Sequence, residues 1–233
     1  MSHSPPAQIS VKVAVIEAAE RLIAEQGLGH VSHREVAAAA GQRNVAVINY
    51  HFGGFDDLIV AILELRMAQV KVRRKELWEK IPRSGVSNRV PSLAEAFILP
   101  LSEFVEEARG KSYYARFLAQ LDVDPRGTPW EFTEGVLSGA SLVDYQRFAG
   151  SVKDVLDALR EELKDRFCQE VLELRLHLSL KVVVSALAER ERILADAAAS
   201  DAKAVLSGDM FRNVLVDIYL GMLTSPDSTN FIG

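Results

Sequence analysis

Apolar side chains recur at helical spacing along almost the whole chain. Met1 to about Ser10 carries prolines and serines and few apolar groups, and reads as a loose arm. Val15, Ile16, Ala19, Leu22 and Ile23 then fall at i, i+1, i+4, i+7 and i+8, one face of a helix that Gly27 stops. Ser32 with Glu35 three residues later spells a capping box, so a short helix starts there, with Val36, Ala37 and Ala40 as its small apolar face. Gly41 suits the bend that follows, because glycine enters a left-handed conformation cheaply. A second short helix is expected from about Asn44 to His51, with Val47 and Ile48 inward. Gln42, Arg43, Asn44, Asn49, Tyr50 and His51 are left outside. Two short helices around a glycine turn, the second with a polar and aromatic outer face, describe a helix-turn-helix.

Gly53-Gly54 breaks the chain, and Asp56-Asp57 open a long helix to about Lys80, ended by Pro82. Its basic run, Lys71, Arg73, Arg74 and Lys75, starts some 21 Å beyond the helix start at 1.5 Å per residue, and is read as solvated or ion-paired. Ser84 to Pro91 is a polar connector. Leu93 to Ala108 is a helix, apolar at Ala96, Phe97, Leu101, Phe104 and Val105, with Pro100 expected to kink it. Tyr113, Tyr114, Phe117, Leu118 and Leu121 lie on another helix. Asp122 to Gly139 is irregular, contains Trp130 and Phe132, and is a candidate cover for a pocket. Leu142 to Phe167 is helical again.

Leu172 to Val182 alternates apolar and polar residues with period two, the pattern of a strand. Nothing else in the chain offers a partner strand, and a lone strand leaves its backbone unsatisfied, so a helix is expected. At about 100° per residue those leucines spread around the whole helix, which must then be covered on more than one side. From Ser207 to Thr224, Met210, Phe211, Val214, Leu215, Ile218, Tyr219, Met222 and Leu223 form a stripe too broad and apolar to leave wet.

Composition narrows the classes. Cys168 is the only cysteine, so no intrachain disulfide is possible. No N-terminal signal pattern is visible and no apolar run approaches the ~20 residues of a membrane helix, so the expected location is cytoplasmic, with no membrane partner. The net charge is −5, and residues 1–57 carry four basic against six acidic side chains, so DNA binding would rely on placed contacts rather than bulk attraction. His30 and His33 suggest a metal only weakly: His30 precedes the cap at Ser32 and is outside the helix, and no metal or other cofactor is expected. No catalytic set is visible. Cys168 and His177 are nine residues apart on one helix, on opposite faces, and no phosphate loop, G-x-S-x-G or H-E-x-x-H motif occurs, so an enzyme is not expected.

The span Val15 to Leu63, about a fifth of the chain, resembles the DNA-binding domain of the TetR family of transcriptional regulators. The matching features, in order, are A-E-Q-G at Ala24–Gly27, V-S-H-R-E-V-A-A-A-A-G, N-Y-H-F-G from Asn49 to Gly53, and the D-D-L that opens the long helix. Phe55 stands where many members have a lysine, and the turn from Gly41 to Val45 is one residue longer than the commonest family spacing. The resemblance implies an all-α protein: a three-helix helix-turn-helix domain over residues 1–56, then a larger helical ligand-binding and dimerisation domain over 57–233. It implies a homodimeric regulator, most often a repressor, that binds a palindromic operator in double-stranded DNA and is released by a small-molecule effector.

The residues expected at DNA are Ser32, Arg34, Gln42, Arg43, Asn44, Asn49, Tyr50 and His51. Trp78, Phe97, Phe104, Tyr113, Tyr114, Phe117, Trp130 and Tyr145 would line a pocket for an apolar or aromatic ligand. The last two helices, about Gln169–Ala195 and Ser207–Thr224, would form a two-fold four-helix bundle. Its dimer contacts are expected at Leu172, Leu176, Leu180, Val183, Phe211, Leu215, Ile218 and Met222. The competing reading is an all-helical dimeric binding protein or enzyme that does not act through DNA.

Overall fold

The computed structural model describes residues 6–82, 87–122, 142–200 and 206–226. Trp130, Phe132 and the side chain of Tyr145 lie outside the described residues, so their expected roles in a pocket or its cover stay as expectations. All regular secondary structure among the described residues is helical, with no strand among them. The helices are α1 (Pro6–Gln26), α2 (His33–Ala39), α3 (Val47–Phe52), α4 (Phe55–Trp78), α5 (Arg89–Glu107), α6 (Tyr114–Asp122), α7 (Leu142–Leu163), α8 (Gln169–Ser200) and α9 (Gly208–Thr224). Helix α1 starts within the stretch expected to be a loose arm; proline at a first helical position is tolerated because its missing N–H has no partner there anyway.

The packing divides into two compact units. The first takes the described residues up to Ala68 and those from Tyr113 to Phe148. Its axis is α1, against which α2 and α6 pack. Val15, Ala19 and Ile23 are fully buried, as the periodicity requires, and Val36, Ile48, Leu58, Ile59 and Ile62 join them from α2, α3 and α4. Tyr114, Ala115, Phe117 and Leu121 of α6 are buried in the same unit. One charge is sealed in with them. Glu20 of α1 is buried, and Nε of Arg66 on α4 donates to both its carboxylate oxygens at 3.0 and 3.1 Å. Burial works against the charge on Arg66, but the hydrogen bonds and charge of Glu20 outweigh it, and the guanidinium is held more firmly protonated than usual.

The second unit runs from Gln69 to Ser112 and takes up the described residues from Ala149 onward. Here α5 packs on α8 and α9, and α8 packs on α9. Its core holds Leu93, Phe97, Ile98 and Val105 of α5, Val155, Leu159 and Leu163 of α7, Leu176, Val183 and Leu187 of α8, and Leu215, Tyr219 and Leu223 of α9. Phe97 stacks on Tyr219 with ring centroids 5.2 Å apart. The alternating stretch Leu172 to Val182 is helical, inside α8. Pro100 sits inside α5, which continues through it. The C-terminal end of α9 is held by Arg175, whose Nη1 donates to the backbone carbonyls of Met222 at 3.1 Å and Ser225 at 2.8 Å. A cation there complements the free carbonyls of a helix end.

Candidate functional site

The geometry of the α2–α3 region follows from a few local bonds. At the start of α2 the Ser32 hydroxyl accepts from the Glu35 amide at 3.3 Å, and the Ser32 amide donates to the Glu35 carboxylate at 2.9 Å: the expected capping box. The Ser32 hydroxyl also donates to that carboxylate, at 2.7 Å. These bonds, from the Ser32 side chain first and its backbone second, hold the Glu35 carboxyl below the usual carboxylate range. The Ser32 proton is therefore already engaged, and Ser32 can donate to a phosphate only by giving up Glu35.

Helix α2 ends in a Schellman turn. The Gly41 amide donates to Ala38 at 3.0 Å and the Gln42 amide to Ala37 at 2.8 Å, with Gly41 at φ 70°. A side chain at Gly41 would have open space but the wrong backbone conformation, so glycine is needed for its dihedral and not for its size. The chain then turns through Asn44, whose Oδ1 accepts from the Ala46 amide at 2.9 Å. Helix α3 begins at Val47, later than the expected start near Asn44. Arg43 and Asn44 consequently precede the helix instead of opening it, with the asparagine side chain bonded locally to the backbone two residues on. Gly53 closes α3 at φ 94°, its amide donating to Asn49 at 3.0 Å.

Ile48 alone of α3 is fully buried, and Val47 is half-buried. Ser32, Arg34, Arg43, Asn44, Asn49 and Tyr50 are exposed, Tyr50 at 75%. Gln42 is half-buried, with its Nε2 donating to the Ala40 carbonyl at 3.3 Å. His51 is half-buried, edge-on to Tyr50 at 4.8 Å. Burial first, and the charge of Lys12 second, push the His51 imidazole below its ordinary value, so it is largely neutral near pH 7. Lys12 lies over the Phe52 ring at 6.0 Å and is a basic group at this site that the motif did not single out. Phe55 packs its ring on His33 at 5.3 Å, joining the start of α4 to the start of α2.

The other expected sites are redistributed. Tyr114 and Phe117 are core residues of the first unit, and Phe97 is core in the second. Tyr113 is half-buried beneath the Arg116 guanidinium at 4.6 Å, and Trp78 is 37% exposed. Of the aromatics expected in a pocket, Phe104 lines an open groove of about 620 Å³ in the second unit, together with Gln69, Arg73, Pro100, Glu103 and Glu107. The groove's charged residues were not expected at a site; the signal available was a carboxylate pair at i and i+4, Glu103 and Glu107, flanking Phe104 just after a helix-interior proline.

Of the expected dimer contacts, Leu172, Leu176, Val183 and Leu215 are buried within the single chain. Leu180, Phe211 and Met222 are half-buried, and only Ile218 of the eight is exposed. Exposed apolar side chains include two rows, Leu174, Leu178 and Val182 on α8, and Met210, Val214 and Ile218 on α9, with Ile193 exposed further along α8. Each set recurs at i, i+4 and i+8, so each is a single stripe along its helix.

Among the described residues no group of three or more His, Cys, Asp or Glu side chains could hold a metal ion, and no helix is long and apolar enough to cross a membrane. No curated protein matches the chain. A solved structure of the multidrug binding protein EbrR complexed with imidazole is similar over 93% of this chain and 94% of its own, at 21% identity and a TM-score of 0.33. Residues 15–62 match the family model described as bacterial regulatory proteins, tetR family. That span runs from α1 into α4, enclosing the capping box, the Schellman turn and α3, and over it the chain is similar to the bacterial regulatory proteins of the tetR family.

Proposed function

We propose that the chain is a transcriptional regulator, a repressor that binds a palindromic operator as a homodimer through α3 and is released by a small molecule. The observation that carries this reading is the α2–α3 pair, a rigidly capped scaffold around Ile48 that leaves Arg43, Asn44, Asn49 and Tyr50 open to a groove. Arg43 could fork onto a guanine edge, which would contribute ~1–3 kcal/mol of discrimination, while Tyr50, His51 and Arg34 suit phosphates. Asn44 has its oxygen engaged with Ala46, so its amide NH₂ is the group left for a base or phosphate. A first unit with no excess of positive charge is consistent with affinity built from such contacts.

The stripes on α8 and α9 support the dimer, since apolar rows of this length are costly to leave wet. Two recognition helices held about 34–36 Å apart would meet successive major grooves. Release follows if the effector prefers a dimer with a different spacing; operator DNA then weakens effector binding by the same factor.

The test is selection of duplexes from a random 30-base-pair pool by the full chain. Enrichment of a two-fold palindrome is expected, with affinity for it reduced in Arg43→Ala and Tyr50→Phe. Recovery of no sequence, or unchanged affinity in both variants, would overturn the reading and leave the non-DNA binding protein as the better account. For the dimer, light scattering on Ile218→Glu should show monomer, because the variant charge would be buried unpaired in the interface at a cost of several kcal/mol. A stable dimer from that variant would exclude this face.

A further inference from the structure

We propose that Val45 reads a thymine in each half of the operator, by packing on the 5-methyl group of that base in the major groove. The inference rests on the DNA-binding reading above and adds to it one base and the side chain that selects it. Val45, Ala46, Asn49 and Tyr50 are exposed and fall at i, i+1, i+4 and i+5, one face of α3 and of the turn that leads into it. That turn already has helical geometry. The Ala46 backbone lies in the right-handed helical region, and its carbonyl accepts from the Tyr50 amide at 2.8 Å. The Val45 carbonyl accepts from the Ile48 amide at 3.5 Å. Ile48, on the opposite side of the same stretch, is fully buried. The core has therefore taken one face, and Val45 is fixed on the other. Among the described residues of the first unit, Val45 and Tyr50 are the only large hydrophobic side chains left exposed, Val45 at 40%. Tyr50 has a hydroxyl to give to a phosphate, and Val45 has nothing polar to offer.

The chemistry of valine separates the four bases. In the major groove adenine, guanine and cytosine are told apart by hydrogen-bonding groups, and thymine alone adds a methyl. Valine pressed on a hydrogen-bonding group strips its water and returns no bond, which costs free energy. Against the thymine methyl both partners are apolar, and joining them removes apolar surface from water on each side. Arg43 and Asn44 before Val45, and Asn49 after it, can all donate hydrogen bonds, so the valine is the position on this face that a polar edge cannot satisfy. Ala46 beside it is too small to hold the backbone away from the bases. Arg43 and Val45 leave the backbone at most ~7 Å apart, about two base-pair steps, so the thymine belongs beside the base that Arg43 contacts. A methyl contact also needs no positive charge, which suits a first unit with no excess of it.

The experiment is a uracil scan of the palindrome recovered in the duplex selection. Each thymine is replaced in turn, in both half-sites together, by deoxyuridine, which keeps its pairing with adenine and lacks only the methyl. Binding of the full chain to each duplex is followed by fluorescence anisotropy at two salt concentrations. One thymine per half-site is expected at which uracil weakens binding on the order of tenfold, from roughly fourfold for each buried methyl. The ratio should be the same at both salt concentrations, because a methyl contact releases no counterion. In Val45→Ala the affinity for the thymine duplex should fall, and most of the uracil penalty at that position should disappear. Val72→Ala, an exposed change on α4 in the second unit, should keep the full penalty. A palindrome without a methyl-sensitive thymine, or a penalty as large in Val45→Ala as in the unaltered chain, would overturn the contact. Should Val45→Ala fail to fold, Val45→Ser takes its place with the same expectation. Recovery of no sequence in the selection removes the regulator and the thymine contact with it, whereas a palindrome bound equally well with thymine and with uracil removes the contact alone.

Discussion

Arg66 and Arg73 are seven residues apart on α4, and each forks its guanidinium onto a glutamate of another helix. The chemistry is the same and the surroundings are not. In the first unit the Glu20 side chain is 2% exposed and Arg66 16%, whereas in the second Glu103 is 25% exposed and Arg73 38%. Half-buried Arg66 meets the carboxylate of Glu20, which is buried in a packed core. Arg73 meets two, at the edge of a groove that holds a third. A sealed pair has no water to fall back on, so it fixes the core and can do little else. An open pair exchanges partners at small cost, which is what a ligand site needs and a core cannot allow.

The largest effect that would test this contrast is on the sealed side. Arg66→Ala should remove the bidentate cation from the buried Glu20 carboxylate and cost ~3–5 kcal/mol in urea unfolding. Replacing both partners with apolar residues, Glu20→Leu with Arg66→Met, should recover most of that loss, and a double variant as unstable as the single one would mean that packing, not charge, is what Arg66 supplies. Next in size is Ser32→Ala, which removes the cap of α2 and should cost ~1 kcal/mol. Arg73→Ala should be smaller still, within ~0.2–1 kcal/mol for its partly exposed contact with Glu103, and a loss as large as that of Arg66→Ala would erase the distinction between the two pairs.

The smallest effect is one of pH. The Glu35 carboxyl is held below its usual range by Ser32, so the stability it lends is complete above the ordinary carboxylate value and is lost as pH falls through the lowered one. Amide exchange at the start of α2 should therefore quicken on acidification, and in Glu35→Gln that pH dependence should vanish. An unchanged acid profile in the variant would show the capping carboxylate to be without effect.

Much of the N-terminal site was legible because its determinants are local. A capping box, a glycine that must take positive φ and a buried Ile48 lie within a few residues of one another, and each constrains the backbone directly. The start of α3 was less legible, since Asn44 can open a helix or turn the chain ahead of one, and here its side-chain oxygen accepts from the Ala46 amide just before the helix begins. The groove was not legible, because its walls are from α4 and α5 and nothing local brings Arg73 to Glu103, 30 residues on. The apolar stripe of α9 was recognised as a whole, yet the pattern could not say which half of it faces inward. Leu215 and Tyr219 turned to the chain's own core, and Val214 and Ile218 were left outside.

By itself the sequence determined the helical class, the helix-turn-helix and its caps, and the absence of any possible intrachain disulfide, because spacing, turn chemistry and cysteine count act through the chain itself. Only the tertiary structure decided that α6 packs on α1, that the Leu172–Val182 leucines divide between core and surface, and that one arginine of α4 pairs with a buried glutamate while the other pairs with a part-exposed one. The physical reason is the same in each case. Periodicity says how wide an apolar or charged face is, but exposure depends on which distant helix covers it, and that pairing is settled by the packing of all the faces together.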